Sequence, residues 1–358
     1  MESRQRILQA FAHKKPDRCP NYIWINDDAM SKLIEYLGVS SPIEAKRALN
    51  IDKWSNVELN ISPPKEIKRK IKTLVPEKYK NNENYQVLKT GRVVRIHEQV
   101  DYLEDTVFHP LEGIHTKQDL CNHPLPPDEK WIEDPNNLEK KIEKDQNNGY
   151  IVSGEVKQPF KMAWQLRGMK RVFRDFWRSE ELISSLYDHI YSFINSKGLI
   201  FVKKGVDMIK IVGDLGMQDG LMINPDTWRK FDKHRLKSVI NSWKRINPNL
   251  HVYMHTDGDV KEIIPDLIES GVDILNPIQP ECMDPVEIKE EFGDKLVLHG
   301  AVSLQETLPL GTPREVEKEV KYLIKKCNTN GGFIIGPSNA LFKEIPMENI
   351  ITLYNSVY

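Results

Sequence analysis

The sequence lacks both an excess of charge and long apolar runs. Its 51 basic and 52 acidic residues give a formal net charge of −1, whereas nucleic-acid binders normally carry a basic excess. No run approaches about 20 apolar residues, the length that spans a membrane, and residues 1–6 lead into no secretory signal core. We therefore expect a cytoplasmic protein with no nucleic-acid and no membrane partner.

Cysteine is scarce in this chain. The four cysteines, Cys19, Cys121, Cys282 and Cys327, form no C-x-x-C pair, which favours reduced thiols over a disulfide framework or a zinc ribbon. Cys282 lies in a loop that we expect near the site, so its role stays open.

Several short catalytic motifs are missing. No G-x-G-x-x-G follows a predicted strand, and the sequence contains no P-loop, no G-x-S-x-G elbow and no H-E-x-x-H pair. These absences argue against a nucleotide cofactor and against the serine-hydrolase and zincin classes.

What the chain does contain, from residue 149 onward, is a regular alternation of short apolar runs and helical segments. The runs are at residues 150–155, 206–212, 250–254, 272–275, 295–298 and 332–335. Continuous apolar runs joined by helices are typical of buried parallel strands. With strands of the first half, including residues 19–25, about eight are counted. We predict an α/β fold, a (β/α)8 TIM barrel, with an open doubly wound sheet as the alternative.

One segment of the first half departs from this alternation. Residues 85–88 and 93–100 are rich in β-forming side chains and flank a turn at residues 89–92. We predict a β-hairpin excursion over residues 85–108, inserted into a single barrel domain that spans residues 1–358.

Polar residues follow the apolar runs, where the carboxyl ends of barrel strands form one catalytic face. Asp and Asn at such positions also cap the following helix, so each residue has a structural alternative. We assign catalysis to His255, Asp257 and Asp214. We assign substrate binding to Asn26, Asp27, Glu155, Gln218, Asn276, Gln279, His299 and Asn339.

The pair His255 and Asp257 is the sharpest local feature. Two residues apart at a strand end, they are able to supply two ligands to a zinc-like ion, or a carboxylate that orients an imidazole for proton transfer. The structural alternative is a histidine bound to a backbone carbonyl and an aspartate that caps a helix. Trp164 and Arg167 are candidates for the pocket rim, or for a helix that packs on the barrel.

Several motifs in order resemble the uroporphyrinogen decarboxylase superfamily, most closely its branch of decarboxylase-like proteins and corrinoid-dependent methyltransferases. The resemblance runs through almost the whole chain. It is carried by residues 3–20, 213–225, 255–258, 271–280, 299–300 and 336–339.

The resemblance implies a (β/α)8 barrel with a funnel-shaped site. The decarboxylases of the family act without metal and hold a tetrapyrrole with arginines and an aspartate, but residues 24–27 contain no arginine here. The methyltransferase branch binds zinc through a His-x-Cys pair and a later Cys or His. His255 matches that pattern, whereas Asp257 and Asn339 stand at the other positions. The resemblance thus leaves two alternatives, zinc with a modified ligand set that includes Gln279 or Glu281, or no metal.

Three functions are compatible with these observations. The first is a methyltransferase that moves a methyl group between a small methylated substrate and a corrinoid supplied by a partner protein. The second is a metal-free decarboxylase, a lyase that holds a carboxylated substrate with basic residues such as Arg167 and Lys210. The third is a non-catalytic barrel that binds a small-molecule ligand.

Overall fold

The computed structural model describes residues 1–96, 105–124, 129–133 and 136–358. Sixteen α-helices lie in these residues. They are α1 (Ser3–Phe11), α2 (Asp27–Leu37), α3 (Pro42–Ala48), α4 (Lys65–Leu74), α5 (Lys117–Asn122), α6 (Leu138–Asn147), α7 (Pro159–Arg167), α8 (Met169–Arg178), α9 (Glu180–Lys203), α10 (Pro225–Trp228), α11 (His234–Ile246), α12 (Ile264–Ser270), α13 (Pro285–Phe292), α14 (Thr307–Leu310), α15 (Pro313–Cys327) and α16 (Met347–Asn355).

Fourteen strands occur in the same described residues, and seven of them form one parallel sheet in the order β1-β7-β8-β11-β12-β13-β14. The strands are β1 (Trp54–Val57), β2 (Asn60–Ile61), β3 (Tyr85–Val87), β4 (Val93–Arg95), β5 (Asp105–Phe108), β6 (Ile132–Glu133), β7 (Ile151–Lys157), β8 (Met208–Val212), β9 (Gly216–Met217), β10 (Gly220–Leu221), β11 (His251–His255), β12 (Ile274–Ile278), β13 (Val297–Val302) and β14 (Phe333–Pro337). The helices between the sheet strands form the crossovers, so the predicted TIM-barrel fold is confirmed.

The eighth position of the barrel is filled by residues 20–26. This segment forms one parallel bridge to β14 and one to Leu341 in the loop that follows, and Tyr22 N donates to Ile335 O at 3.0 Å. On its other side the Asn21 side chain and the Asp52 carboxylate exchange hydrogen bonds with each other's backbone N–H, at 2.8 and 3.0 Å. The predicted first strand is therefore present as isolated bridges, and side chains join it to β1.

Inward-facing side chains fill the barrel in layers because successive residues of a strand point to opposite faces. Ile7 and Phe11, four residues apart on one face of α1, close the amino end of the barrel. Their layer is completed by Ile151, Met208, Tyr253, Ile274, Val297 and Ile334. Apolar side chains thus fill the amino end of the barrel, and the polar side chains that follow the strands lie at its carboxyl end.

The predicted hairpin is confirmed as part of a small antiparallel sheet, β3-β4-β5. Strands β3 and β4 pair across a turn in which Leu88 N donates to Arg92 O at 2.8 Å, and Gly91 adopts a φ of 80° that favours glycine. Strand β5 adds a third strand, and residues 97–104 of the predicted excursion lie outside the described residues. No helix in the described part of the chain is long and apolar enough to cross a membrane.

Candidate active site

A cavity of about 930 Å³ opens at the carboxyl ends of the barrel strands. Seven of the residues assigned to the site from the sequence line it, and they come from loops far apart in the chain. They are Asn26, Asp27, Asp214, His255, Asp257, Gln279 and Asn339. The strand-end rule therefore brings these side chains to one mouth.

His255 is the last residue of β11 and is buried at the floor of the cavity. Its Nδ1 lies 2.7 Å from Asn276 Oδ1, on the neighbouring strand β12. Because this oxygen only accepts, Nδ1 carries a hydrogen, and in the neutral form of the imidazole Nε2 keeps a lone pair. The ring packs edge-on against Trp24 at 5.3 Å, which fixes its orientation.

Asp257 presents its carboxylate to that lone pair. Its Oδ1 lies 3.9 Å from His255 Nε2, while Oδ2 accepts a hydrogen bond of 2.6 Å from Asn339 Nδ2. Oδ1 is buried and has no hydrogen-bond partner among the described residues. Burial raises the pKa of Asp257, His255 acts against this rise, and the charge of Asp214 adds to it.

Two glycines allow Asp214 to approach Asp257. A Cβ at Gly216 would lie 2.6 Å from Asp257 O, and a Cβ at Gly258 would lie 2.5 Å from the carbonyl carbon of Gly216. The loops after β8 and β11 are therefore in direct backbone contact. Asp214 forms an ion pair of 3.0 Å with Lys161 of α7.

The three catalytic candidates also form a possible cation site. One ligand atom from each of Asp214, His255 and Asp257 lies within 4.8 Å of the others. His255 Nε2 and Asp257 Oδ1 are two acceptors that face each other, so they need a proton or a cation between them. A histidine that binds a metal normally donates its other N–H, as His255 Nδ1 does to Asn276. The residues thus fit a divalent metal, with one nitrogen and two carboxylate ligands.

The other predicted residues in the mouth have structural contacts as well. Asn26 caps α2 by accepting a hydrogen bond from Ala29 N at 2.9 Å, and Gln279 Oε1 accepts one from Gly258 N at 3.1 Å. Asn339 holds Asp257. These side chains shape the cavity, and their helix-capping and loop contacts set their positions.

Two predicted substrate-binding residues lie behind the cavity. Asn276 positions His255 and does not line the opening. His299 is fully buried in the barrel, 3.0 Å from the Tyr253 hydroxyl. Burial and the charge of Lys210 hold the pKa of His299 well below its usual range. His299 is thus a neutral residue of the barrel interior.

The remaining four predicted residues lie outside the cavity wall. Glu155 is exposed on β7, and Gln218 is at the rim, where it donates to Gln305 at 3.2 Å. Trp164 packs against the hydrophobic core. Arg167 is buried in an ion pair with Asp175, so its charge is used within the helical layer and not at the mouth.

Comparison with known protein families shows to which family the chain belongs. Residues 138–358, more than half of its length, match the model described as uroporphyrinogen decarboxylase (URO-D). The chain belongs to the uroporphyrinogen decarboxylase family. The matched region of this family member includes the three catalytic candidates, whereas Asn26 and Asp27 precede it.

The curated relatives of this family member have low sequence identity to it. The uroporphyrinogen decarboxylase of Rickettsia canadensis (strain McKiel) is 25% identical over 202 residues, which are 56% of this chain and 54% of the relative. That of Rickettsia massiliae (strain Mtu5) is 23% identical over 211 residues, or 58% and 56%. The chain therefore spans about half the length of the curated relatives it matches.

A solved structure extends the likeness in fold. A methyltransferase from Methanosarcina mazei superposes with a TM-score of 0.64 and 17% identity, covering 100% of this chain and 98% of that one. This similarity shows that the two chains share a fold over their full lengths.

Several cavity residues of this family member do not directly follow a strand and were not predicted from the sequence. Lys161 lies in the first turns of α7, and Trp24 precedes Asn26. Lys343 and Glu344 lie in the loop after β14. The signal that would have found Lys161 is Gln158, whose side chain accepts from Lys161 N and so begins α7 at the mouth.

Proposed function

We propose that this chain is a methyltransferase that moves a methyl group between a small methylated substrate and a corrinoid protein. The observation that carries the proposal is the set of His255, Asp257 and Asp214 at an open barrel mouth. A buried carboxyl with a raised pKa, beside an imidazole lone pair, is suited to hold a proton or a metal at the heteroatom that loses the methyl group.

The charge of the mouth favours a neutral or cationic substrate. Among the described residues that line the cavity, no arginine occurs, and the cations are Lys161 and Lys343. The ammonium of Lys161 is already paired with Asp214. Carboxylates outnumber these cations even without Asp257, which the proposed reaction needs in its protonated form, and they are Asp27, Asp28, Asp214 and Glu344. A polycarboxylate is repelled by such a wall, whereas a methylated amine or an ether is not.

The chain's own residues have defined roles in this reaction. As the bond from carbon to the heteroatom breaks, the electron pair stays on the heteroatom, and protonated Asp257 donates to it. Asn339 holds the Asp257 carboxyl by its Oδ2, and Asn276 keeps the Nε2 lone pair of His255 directed at the same point. A corrinoid supplied by the partner protein would accept the methyl group and, in its cob(I) form, would provide the electron pair of the new bond.

We also propose an alternative occupant of this point, a zinc ion held by His255 Nε2 and the carboxylates of Asp257 and Asp214. In that form the metal takes the place of the Asp257 proton, and Asp257 is a ligand and not the acid. When bound, the metal supplies a Lewis acid that polarises the heteroatom of the substrate. Metal analysis of the purified chain tests this part. For the metal-bound form we expect one zinc ion per chain, lost in His255→Ala and retained in Glu35→Gln, a variant of an exposed carboxylate on α2. A wild-type chain without zinc would overturn the metal assignment.

The decarboxylase alternative has less support. It requires cations at the mouth, but Arg167 is paired with Asp175, and Lys210 donates to Asn56 at 3.0 Å inside the barrel. Because the curated relatives are named uroporphyrinogen decarboxylase, decarboxylation is still the alternative against which methyl transfer has to be tested.

The deciding experiment presents the purified chain with a panel of methylated amines and aryl methyl ethers, with cob(I)alamin as the acceptor. Formation of methylcobalamin from at least one donor, at a rate that depends on the enzyme concentration, supports the proposal. The absence of transfer from every donor would overturn it. In that case carbon dioxide release from a tetrapyrrole carboxylate would identify a lyase, and tight binding of a panel member without turnover would identify a non-catalytic barrel.

A further inference from the structure

A second cavity, of about 460 Å³, lies between the inserted sheet and the barrel. Its walls come from the turn between β3 and β4, from Trp131 and from helices α7 and α9. Its size lies within the range of small-molecule sites in proteins. It shares no lining residue with the cavity at the barrel mouth.

The body of this second cavity is apolar. The buried side chains of Trp131 and Leu166 line the cavity, and Phe193 of α9 lines it as well. Leu88 covers the cavity from the inserted sheet. Such a surface binds an apolar group because contact removes both surfaces from water.

Basic side chains line the same cavity, and no acidic residue does so among the described residues. The basic residues are Lys89, Arg92, Lys157 and Lys197. Lys157 and Arg92 have interactions within the chain. An apolar wall whose charged side chains are all positive favours a ligand that carries a negative charge.

The positive charge of Lys197 has no polar partner within the described chain. Within the described chain its ammonium forms no hydrogen bond and no ion pair, and its contact is with the Phe201 ring, 5.7 Å from the ring centroid. Burial lowers the pKa of Lys197, while the charges of Glu155 and Glu58 act in the opposite direction without pairing with it. A half-buried ammonium without an acceptor is a binding position for an anion.

We propose that this cavity binds an amphiphilic monoanion, with its acidic head group at Lys197 and its apolar body against Leu88, Trp131 and Phe193. The ligand class is a monocarboxylate on an aliphatic or aromatic body. The site is independent of the proposed methyl transfer, since the mouth contributes nothing to it.

Calorimetric titration with dodecanoate and with dodecanol tests this proposal. We expect saturable binding of dodecanoate to the wild-type chain, and at least tenfold weaker binding to Lys197→Met, which keeps the apolar stem of the side chain. Dodecanol, which lacks the charge, should bind equally to both. Lys203→Met on the exposed face of the same helix is the matched control and should bind dodecanoate like the wild type.

A second variant tests the apolar wall. Leu88→Asp places a carboxylate at the partly buried side chain that covers the cavity, and we expect weaker binding of both probes. A cooperative thermal unfolding transition checks that this variant is folded. The proposal is overturned if the folded wild-type chain binds no dodecanoate, or if Lys197→Met and Lys203→Met bind it equally. Asp257→Asn, at the mouth, should leave dodecanoate binding unchanged, so that this test and the test of methyl transfer fail separately.

Discussion

At the scale of single residues, the proposed reaction depends on the proton of Asp257. Burial raises the pKa of this carboxyl above its ordinary value, with the charge of His255 acting against the rise. A general acid must be protonated when the substrate binds. We therefore expect the rate of methyl transfer to fall as the pH rises through the raised pKa of Asp257, and a pH–rate profile of kcat/KM measures this.

Asp257→Asn removes the proton while keeping the size of the side chain. We expect a rate at least about 100-fold lower, because a positioned general acid contributes roughly 10²–10⁴-fold. The limb of the pH profile assigned to Asp257 should disappear. Circular dichroism checks that the fold is kept, and Glu35→Gln is the control. A variant with the wild-type rate and profile would assign the acid to another residue.

The sequence predicts some of these residues and not others for a physical reason. His255, Asp257 and Asp214 directly follow apolar runs, and strand ends of a barrel meet at one face. Lys161 reaches the same mouth from a helix, and its pairing with Asp214 depends on how α7 packs. Arg167, six residues further along α7, is buried against Asp175. No local pattern distinguishes these two basic residues.

At the scale of secondary-structure elements, the contact between the loops after β8 and β11 holds the site together. Gly216→Ala would place a Cβ 2.6 Å from Asp257 O, so backbone must move. We expect unfolding free energy to fall by about 1–3 kcal/mol, with a parallel loss of activity as Asp257 shifts. Denaturant unfolding and initial rates measure the two effects. Gly113→Ala, where a Cβ meets nothing within 4 Å, should leave both unchanged.

A second prediction at this scale concerns the π-helical turn Arg229–Lys233 between α10 and α11. Burial raises the pKa of Asp232 there from its ordinary value of 3.8 to about 7, and the Tyr191 hydroxyl, 2.8 Å away, acts against the rise. Folding thus favours the protonated form. Its stability contribution is fully present below pH 3.8 and is lost as the pH rises to about 7.

Asp232→Asn keeps the shape of the side chain and removes this titration. We expect the variant to be more stable than the wild type by roughly 2–4 kcal/mol at about pH 8, and the difference to shrink as the pH falls towards 4. Urea unfolding of both proteins across this range measures the difference. A constant difference at all pH values would show that Asp232 does not titrate as its burial implies.

The elements themselves are partly readable from the sequence. The turn at residues 89–92 is predicted because it lies between two β-rich runs, and in the structure Gly91 adopts a positive φ there. Strand β5 was not separated from the hairpin, since pairing with β4 is a contact between distant residues. The segment before α12 forms a 3-10 turn, Lys261–Ile263. Such adjustments at a helix start follow packing more than local sequence.

At the scale of the whole molecule, strand count predicts the barrel but not how it closes. The six apolar runs from residue 149 onward become regular strands, and β1 is the seventh strand of the sheet. Residues 20–26 occupy the eighth position with only isolated bridges, to β14 and to the loop that follows it. Pro20 lacks a backbone N–H, which removes one donor from this segment. The closure on the β1 side relies on Asn21 and Asp52, whose pairing across 31 positions no periodicity reveals.

This closure yields the prediction that concerns the molecule as a whole. Asn21 is fully buried, its Oδ1 accepts from Asp52 N at 2.8 Å, and Asp52 in turn binds Arg6 and Arg18. Asn21→Ala leaves the Asp52 N–H without its partner, so we expect a loss of about 1–3 kcal/mol in the free energy of unfolding. Asn249→Ala, at an exposed position, should stay within about 0.5 kcal/mol of the wild type. Equal stabilities of the two variants in urea unfolding would mean that the barrel closes without the Asn21 side chain.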